Sequence, residues 1–222
     1  EKRCHIRVVY FSILTPSEIF YANIPDVCAD DSLFEIDFRY NGSKPHSYSL
    51  YYGDDAHAQG FRDVLDAPFD GVVCGMCPKF RKNGYVRPDI YHVRMEFDNG
   101  ACAPNLYGID LTFRVRYPAW IIEQNWNDVI ALLNETYNGG YVFSHYDWYV
   151  NGRMVDYAHG TNLYMTEIGV GDMVELYPTR EGEDYAIPTC PIVIEDRRNS
   201  DISEHPVLIY PTHITKANAR VH

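Results

Sequence analysis

Hydrophobic and polar residues alternate along much of this chain. The pattern is clearest over residues 34–40, 91–97 and 111–117, where every second residue is apolar and the residues between are polar, charged or histidine. A period of two is typical of a β-strand that buries one face and exposes the other. Further strand-like segments are found at residues 142–150, 173–177 and 192–194.

Glycine-containing turn signals separate these segments. They are Asn41-Gly42, Asp70-Gly71, Asn99-Gly100, Asn138-Gly139-Gly140, Asn151-Gly152 and Gly171-Asp172. Short strands that are interrupted this often are typical of an antiparallel sandwich or barrel rather than of a parallel sheet. The pattern therefore predicts an all-β fold.

Residues 122–133 fit two structures. The apolar residues at 122, 126, 129, 130 and 133 have helical spacing, and Asn127-Asp128 could cap a helix. The same residues also fit a buried strand, because periodicity does not separate the two in a short apolar run. We predict a strand, since the segments on both sides are β.

The chain has 222 residues, which suits two sandwiches of about 100 residues each. An alternating pattern ends at Tyr117-Pro118, and proline does not continue a central strand. We therefore expect one module at residues 1–117 and a second at 118–196. Residues 197–222 are expected to form a polar linker followed by a C-terminal strand or tail.

The formal net charge of −12 argues against nucleic acid and anionic membrane surfaces as partners, because both attract basic patches. A well-solvated surface and an acidic, cation-binding surface both remain compatible with this charge. No apolar run approaches the ~18 residues of a membrane helix, so membrane insertion is not expected. The chain starts at Glu1 without an apolar signal core, which we interpret as a mature or trimmed product.

Several motifs resemble a known class of surface proteins. Val27-Cys28-Ala29-Asp30-Asp31 and Asn99-Gly100-Ala101-Cys102 are similar to motifs in the immunoglobulin-like repeats of Bacteroidetes surface and gliding-associated proteins. The second half is similar to a related module through Tyr146-Asp147-Trp148-Tyr149-Val150-Asn151-Gly152 and Thr189-Cys190-Pro191. Residues 207–212 resemble the opening strand of the sorting domain used by type IX secretion, although the remainder of such a domain is missing.

The resemblance implies two tandem immunoglobulin-like antiparallel β-sandwiches in a secreted or cell-surface protein. In such repeats one cysteine opens an early strand and another follows a late Asn-Gly turn, so we expect a disulfide between Cys28 and Cys102. Two free buried thiols are the alternative. In modules of this kind a tryptophan fills the core, which makes Trp148 the expected core residue of the second module, with Tyr149 on the opposite face.

Cys74 and Cys77 form a Cys-x-x-Cys motif. A redox role requires this motif at the start of a helix, and no helical pattern follows it. Zinc binding requires a second pair of ligands, for which only Cys4-His5 is a candidate. We expect structural thiols or a local disulfide.

No residues in the sequence are predicted to be catalytic. The sequence contains no Gly-x-Ser-x-Gly, His-Glu-x-x-His or phosphate-binding motif. Asp30-Asp31 and Asp54-Asp55 with His57 lack the spacing of a calcium loop, and we interpret them as solvated loop charges. The expectation is a non-enzyme without a cofactor or a metal.

The chain contains 19 tyrosines, with aromatic groups at residues 48–52 and 146–149. Such residues suit either a sheet core or a binding platform. The functional hypothesis is a structural spacer or adhesion module whose partner is a protein or glycan at the cell surface. A carbohydrate-binding accessory module with an exposed aromatic row is the alternative, and a hydrolase with a site at the module boundary is a third. The sequence identifies no ligand-binding residue.

Overall fold

The computed structural model describes residues 7–10, 15–78, 86–99 and 108–197. The regular secondary structure of these residues is almost entirely β, as predicted, and the described helices are one short α-helix and one 3₁₀ turn. None of these helices has the length and apolar character to span a membrane. The chain divides into two compact units. The first unit consists of residues up to Ala119 together with Tyr185–Cys190. The second consists of Trp120–Asp184 and the residues from Pro191 onward.

The first unit is built around a five-stranded sheet with the order β2-β9-β8-β5-β6. Two smaller sheets pair β1 with β4 and β3 with β7. All of these pairs are antiparallel except β2 with β9. The elements are β1 Glu18–Asn23, β2 Val27–Cys28, β3 Leu33–Glu35, β4 Asp37–Asn41, β5 Ser47–Tyr52, α1 Asp54–Ala58, β6 Val64–Pro68, β7 Cys74–Met76, β8 Asp89–Asp98 and β9 Gly108–Arg116.

The alternating patterns over residues 91–97 and 111–117 are confirmed. Their apolar side chains are all buried, and the residues between them are exposed or half-buried. Phe113 of β9 stacks on Phe34 of β3 with ring centroids 5.5 Å apart. Contacts of this kind join the large sheet to the small ones in one hydrophobic core.

Residues 34–40 form two strands and not the single strand predicted. Residues 33–35 pair with β7, whereas residues 37–41 pair with β1. The chain changes partner at Ile36, whose backbone N–H donates to the carbonyl of Val73 at 2.9 Å. The apolar residues still face the core as predicted. Phe34 and Ile36 are buried, and Phe38 and Tyr40 pack against the same core.

The second unit contains two antiparallel sheets, with orders β10-β11-β14 and β13-β12-β15-β16. Its strands are β10 Ile122–Trp126, β11 Val129–Leu132, β12 Phe143–Val150, β13 Arg153–Met154, β14 Asn162–Tyr164, β15 Met173–Arg180 and β16 Ile192–Val193. The strand prediction for residues 122–133 is confirmed. Asn127 and Asp128 form the turn between β10 and β11 instead of capping a helix.

Trp148 is fully buried, at the position predicted for it. Val174 and Leu176 of the same four-stranded sheet are also fully buried. From the three-stranded sheet, Ile130 and Leu163 are fully buried. Both sheets therefore contribute to the core of the second unit, as expected for a fold of the β-sandwich class.

A disulfide joins Cys28 to Cys190, with the Cα atoms 6.0 Å apart. The predicted Cys28–Cys102 pairing is therefore wrong, and Cys102 itself lies outside the described residues. Cys28 of β2 lies beside Arg116 at the end of β9. The next residue, Tyr117, pairs with Thr189, and its carbonyl accepts a hydrogen bond from the N–H of Cys190 at 2.7 Å. This returning segment brings Cys190 to Cys28.

The same segment changes the domain boundaries. The division after Ala119 lies close to the predicted boundary at residue 118. The predicted second module, 118–196, however, includes residues 185–190, and these belong to the first unit. Of the predicted linker and tail at 197–222, residues 198–222 lie outside the described residues.

Candidate ligand-binding face

Three side chains form a row across the outer face of the three-stranded sheet. Trp126 of β10 pairs with Val129 of β11, which in turn pairs with Tyr164 of β14. Trp126 is 59% exposed and Tyr164 is 61% exposed. We call these three residues the aromatic row. Neighbouring strands are about 4.8 Å apart, so the backbones that carry the two rings are roughly 10 Å apart.

A register shift turns Trp126 outward. On β10, Ile122 and Gln124 are buried, and strict alternation would bury Trp126 as well. The pairing with β11 shifts between Gln124 and Trp126. Trp126 therefore shares a row with Val129, which lies on the face opposite the buried Ile130.

A pocket of about 290 Å³ lies beside Trp126. Most of its lining side chains carry hydrogen-bonding groups, and both an acidic and a basic residue are among them. The lining residues are Trp126, Asn127, Asp128, Thr166, Ile168 and Arg197. The pocket thus offers donors and acceptors next to an exposed aromatic ring.

Two side-chain amides hold the C-terminal wall of this pocket. The buried Gln124 donates to the carbonyl of Glu195 at 2.8 Å and accepts from its N–H at 3.0 Å. Asn127 donates to the carboxylate of Asp196 at 2.9 Å and accepts from the backbone N–H of Arg197 at 2.7 Å. These bonds hold residues 195–197 beside β10 and the turn that follows it.

The aromatic groups noted in the sequence do not form this row. Tyr48 and Tyr52 are buried in the first unit, and Trp148 is buried in the second. Tyr149 is half-buried, and its ring centroid lies 4.2 Å from that of Tyr177 on the adjacent strand. Sheet packing is therefore the correct interpretation for most of these residues. The sequence did not identify Trp126 as exposed, because it follows the buried Ile122 and Gln124 at intervals of two residues, which predicts a buried position.

Cys74 and Cys77 are both free thiols, so the local disulfide is not formed. Cys77 is buried, and this burial, together with the charge of Asp31, raises the pKa of its thiol to about 12. Cys74 lies in β7, which forms a two-stranded sheet with β3. The structural-thiol alternative is the one that the structure supports.

The acidic groups considered as calcium ligands contact other partners. Asp55 lies 2.8 Å from Nδ1 of His92, and His57 lies 2.8 Å from the carboxylate of Asp63. Asp31 accepts a hydrogen bond from the backbone N–H of Cys28 at 2.8 Å. The carboxylates of Asp30 and Asp31 also lie within 4.8 Å of the sulfur of Cys28, but the disulfide with Cys190 occupies that sulfur.

Comparison with known proteins gives little guidance. No protein-family profile matches the chain, and no curated protein matches it. Among solved structures, the chain is similar to the Streptomyces avermitilis alpha-L-rhamnosidase complexed with L-rhamnose, with 9% sequence identity and a TM-score of 0.23. That alignment covers 89% of this chain but 26% of the rhamnosidase chain, so this chain spans about a quarter of its length. A likeness at this TM-score carries no argument about fold or activity.

Proposed function

We propose that this protein is a non-catalytic, secreted or cell-surface adhesion module that binds a carbohydrate chain through the aromatic row. The observation that carries the proposal is the pair of exposed rings, Trp126 and Tyr164, in one register row beside a polar pocket. The immunoglobulin-like character of the two units is part of the same proposal.

The chemistry of the face suits a sugar. A pyranose ring has an apolar C–H face and a polar edge, so it binds best where a flat aromatic ring lies next to hydrogen-bonding groups. Trp126 supplies the flat ring, and Asp128, Thr166 and Arg197 supply donors and acceptors around it. Exposed aromatic residues bordered by polar ones are typical of interaction sites.

The width of the apolar surface favours a linear ligand over a protein partner. The next row on the same outer face of the sheet is Glu123, Ala131 and Asn162, which is mostly polar. The aromatic strip is therefore one row wide, whereas a stable protein interface buries about 800 Å² on each partner around an apolar core. A separation of roughly 10 Å between strands β10 and β14 is longer than one sugar ring, which favours an oligosaccharide.

The proposed extracytoplasmic location is supported by the Cys28–Cys190 disulfide. Such bonds form and persist in oxidising compartments and are rare in the reducing cytosol. A covalent link also suits a protein that must remain folded outside the cell, where it cannot be replaced quickly.

The test is a glycan array followed by calorimetry with the oligosaccharide that is retained. Trp126→Ala and Tyr164→Ala should each weaken binding by about tenfold or more, which corresponds to about 1.4 kcal/mol. Tyr137→Ala is the matched control, because Tyr137 is 68% exposed in the same unit but lies outside the row. Retention of no glycan on the array, or equal binding by all three variants, would overturn the proposal.

A further inference from the structure

Three potential metal ligands meet on the outer side of strand β12. His145 and Asp147 are two residues apart, so their side chains leave the strand on the same face, opposite the buried Trp148. His159 comes from the loop that follows β13. Each residue offers one ligand atom, and these atoms all lie within 4.8 Å of one another.

The loop that carries His159 is held in place by the core. The N–H of Val155 donates to the carbonyl of Trp148 at 2.8 Å, and the N–H of Ala158 donates to the carbonyl of Val155 at 2.9 Å. On the other side of His159, the carbonyl of Gly160 accepts a hydrogen bond from the Trp148 indole at 2.8 Å. Hydrogen bonds therefore hold Ala158 and Gly160, the residues on either side of His159. The imidazole of His159 is thus positioned without a bound ligand.

The backbone contact of His159 fixes a proton on Nε2. Its Nε2 lies 2.9 Å from the backbone carbonyl oxygen of Asp156, which only accepts hydrogen bonds, so Nε2 carries a proton. Nδ1 lies 2.9 Å from the carboxylate of Asp147, which also only accepts, so without a metal Nδ1 donates a hydrogen bond there. A metal ion would replace the proton on Nδ1 and leave the one on Nε2 in place. A backbone carbonyl that orients the second ring nitrogen is the usual support of a metal-bound histidine.

The distances around Asp147 are close to those between ligands of one ion. Nδ1 of His159 lies 2.9 Å from one carboxylate oxygen, and Nε2 of His145 lies 3.3 Å from the other. Zinc binds imidazole nitrogen and carboxylate oxygen at about 2.0–2.2 Å, so two of its ligand atoms are roughly 3.0–3.5 Å apart. All three side chains are exposed or half-buried, so an ion can reach them from solvent.

We propose that His145, Asp147 and His159 bind a divalent transition-metal ion, with Zn²⁺ as the best match. Two imidazoles and one carboxylate suit zinc, copper or nickel, whereas calcium and magnesium require mainly oxygen ligands. Three protein ligands leave at least one coordination position for water or for an atom of a bound partner. The proposal is independent of the aromatic row, which lies on the other sheet of the unit.

Other histidine–carboxylate pairs of the described residues lack the third ligand. His57 contacts Asp63 and His92 contacts Asp55, each at 2.8 Å, and neither pair belongs to a group of three ligands. These pairs have the same chemistry as His159 with Asp147 and a similar exposure. His92 therefore serves as a matched control.

The test is zinc binding at pH 7.5 by the whole chain after its metals have been removed. The chain contains nine histidines and free thiols, so a bulk titration alone would not locate the ion. Long-range ¹H–¹⁵N spectra of the imidazoles supply a site-resolved readout. We expect added ZnCl₂ to shift Nε2 of His145 and Nδ1 of His159, while CaCl₂ at the same concentration leaves both unchanged.

Variants complete the test. His145→Ala, Asp147→Asn and His159→Ala should each weaken zinc binding at this site by at least about tenfold, since loss of even an outer hydrogen-bond partner costs about 10–100-fold. His92→Ala should leave the affinity unchanged. His145 is exposed on its strand, so its variant should fold normally, which circular dichroism can check. Zinc shifts confined to other histidines, or an unchanged affinity in His145→Ala, would overturn the proposal.

Discussion

The indole Nε1–H of Trp148 donates a hydrogen bond to the backbone carbonyl of Gly160 at 2.8 Å. Trp148 is fully buried, whereas Gly160 is exposed, so the bond runs from the core to the surface. It connects the core of the second unit to the loop that carries His159. One side chain therefore both fills the core and positions a surface residue.

Trp148→Phe should lower the free energy of unfolding by about 0.5–1.5 kcal/mol through loss of this hydrogen bond, in addition to the loss of packing. Trp148→Ala should cost about 3–5 kcal/mol, because it also opens a cavity. Chemical denaturation measures both values. A Trp148→Ala variant as stable as the wild type would contradict the assigned core position.

The Cys28–Cys190 disulfide should contribute strongly to stability. It joins residues 162 positions apart, and the chain-entropy model assigns up to about 5 kcal/mol to a loop of this length. Cys190→Ser should lower the free energy of unfolding by up to about 5 kcal/mol. Cys74→Ser, which removes a half-exposed free thiol, should change it much less. Peptide mapping without reductant should recover Cys28 linked to Cys190, and a Cys28–Cys102 peptide would contradict the structure.

The two cysteines of the Cys-x-x-Cys motif should react at different rates. The pKa of Cys77 is raised to about 12 by burial and by the charge of Asp31, so at pH 8 its thiol is both protonated and inaccessible. Cys74 is half-exposed. Iodoacetamide at pH 8 should label Cys74 first, as read by mass spectrometry, and both should be labelled in denaturant. Equal labelling rates in the native protein would refute this.

Binding of residues 195–197 to β10 should depend on Gln124. Gln124→Leu keeps a similar volume but leaves the N–H and carbonyl of Glu195 without their partner, at a cost of about 1–3 kcal/mol. Hydrogen exchange at the Glu195 amide should become faster. Glu123→Gln, on the exposed face of the same strand, is the control and should leave that exchange unchanged.

The charge of His159 should depend on Asp147. The pKa of His159 is raised above its ordinary value of 6.5, first by the side chain of Asp147 and then by the carbonyl of Asp156. The stabilisation from this pair is therefore complete below about pH 6.5 and is lost as the pH rises through the raised pKa. Asp147→Asn should move the pKa of His159 back toward 6.5 in an NMR titration without metal. An unchanged pKa would contradict the assigned contact.

Local alternation accounts for what could be predicted from the sequence. The apolar faces of β8 and β9 follow from strict alternation, because these strands pair without irregularity over their length. The face of Trp148 follows in the same way, because β12 pairs regularly from His145 to Val150 and successive side chains of a strand point to opposite sides. The all-β class follows from the repetition of such segments between turns.

What alternation could not predict depends on contacts between residues distant in sequence or on irregular backbone. Trp126 is exposed because the β10–β11 register shifts between Gln124 and Trp126. The pattern of apolar and polar residues does not predict this shift. Residues 34–40 divide into two strands because the chain finds two different partners.

The sequence by itself determined which faces of the regular strands are buried, because that choice depends on residues two positions apart. Only the tertiary structure decided that Cys28 bonds to Cys190 and that His159 joins His145 and Asp147. The first depends on a segment that returns to pair with Tyr117, and the second on a loop held by Trp148. In both cases residues far apart in the chain meet because backbone hydrogen bonds or a buried side chain bring their segments together.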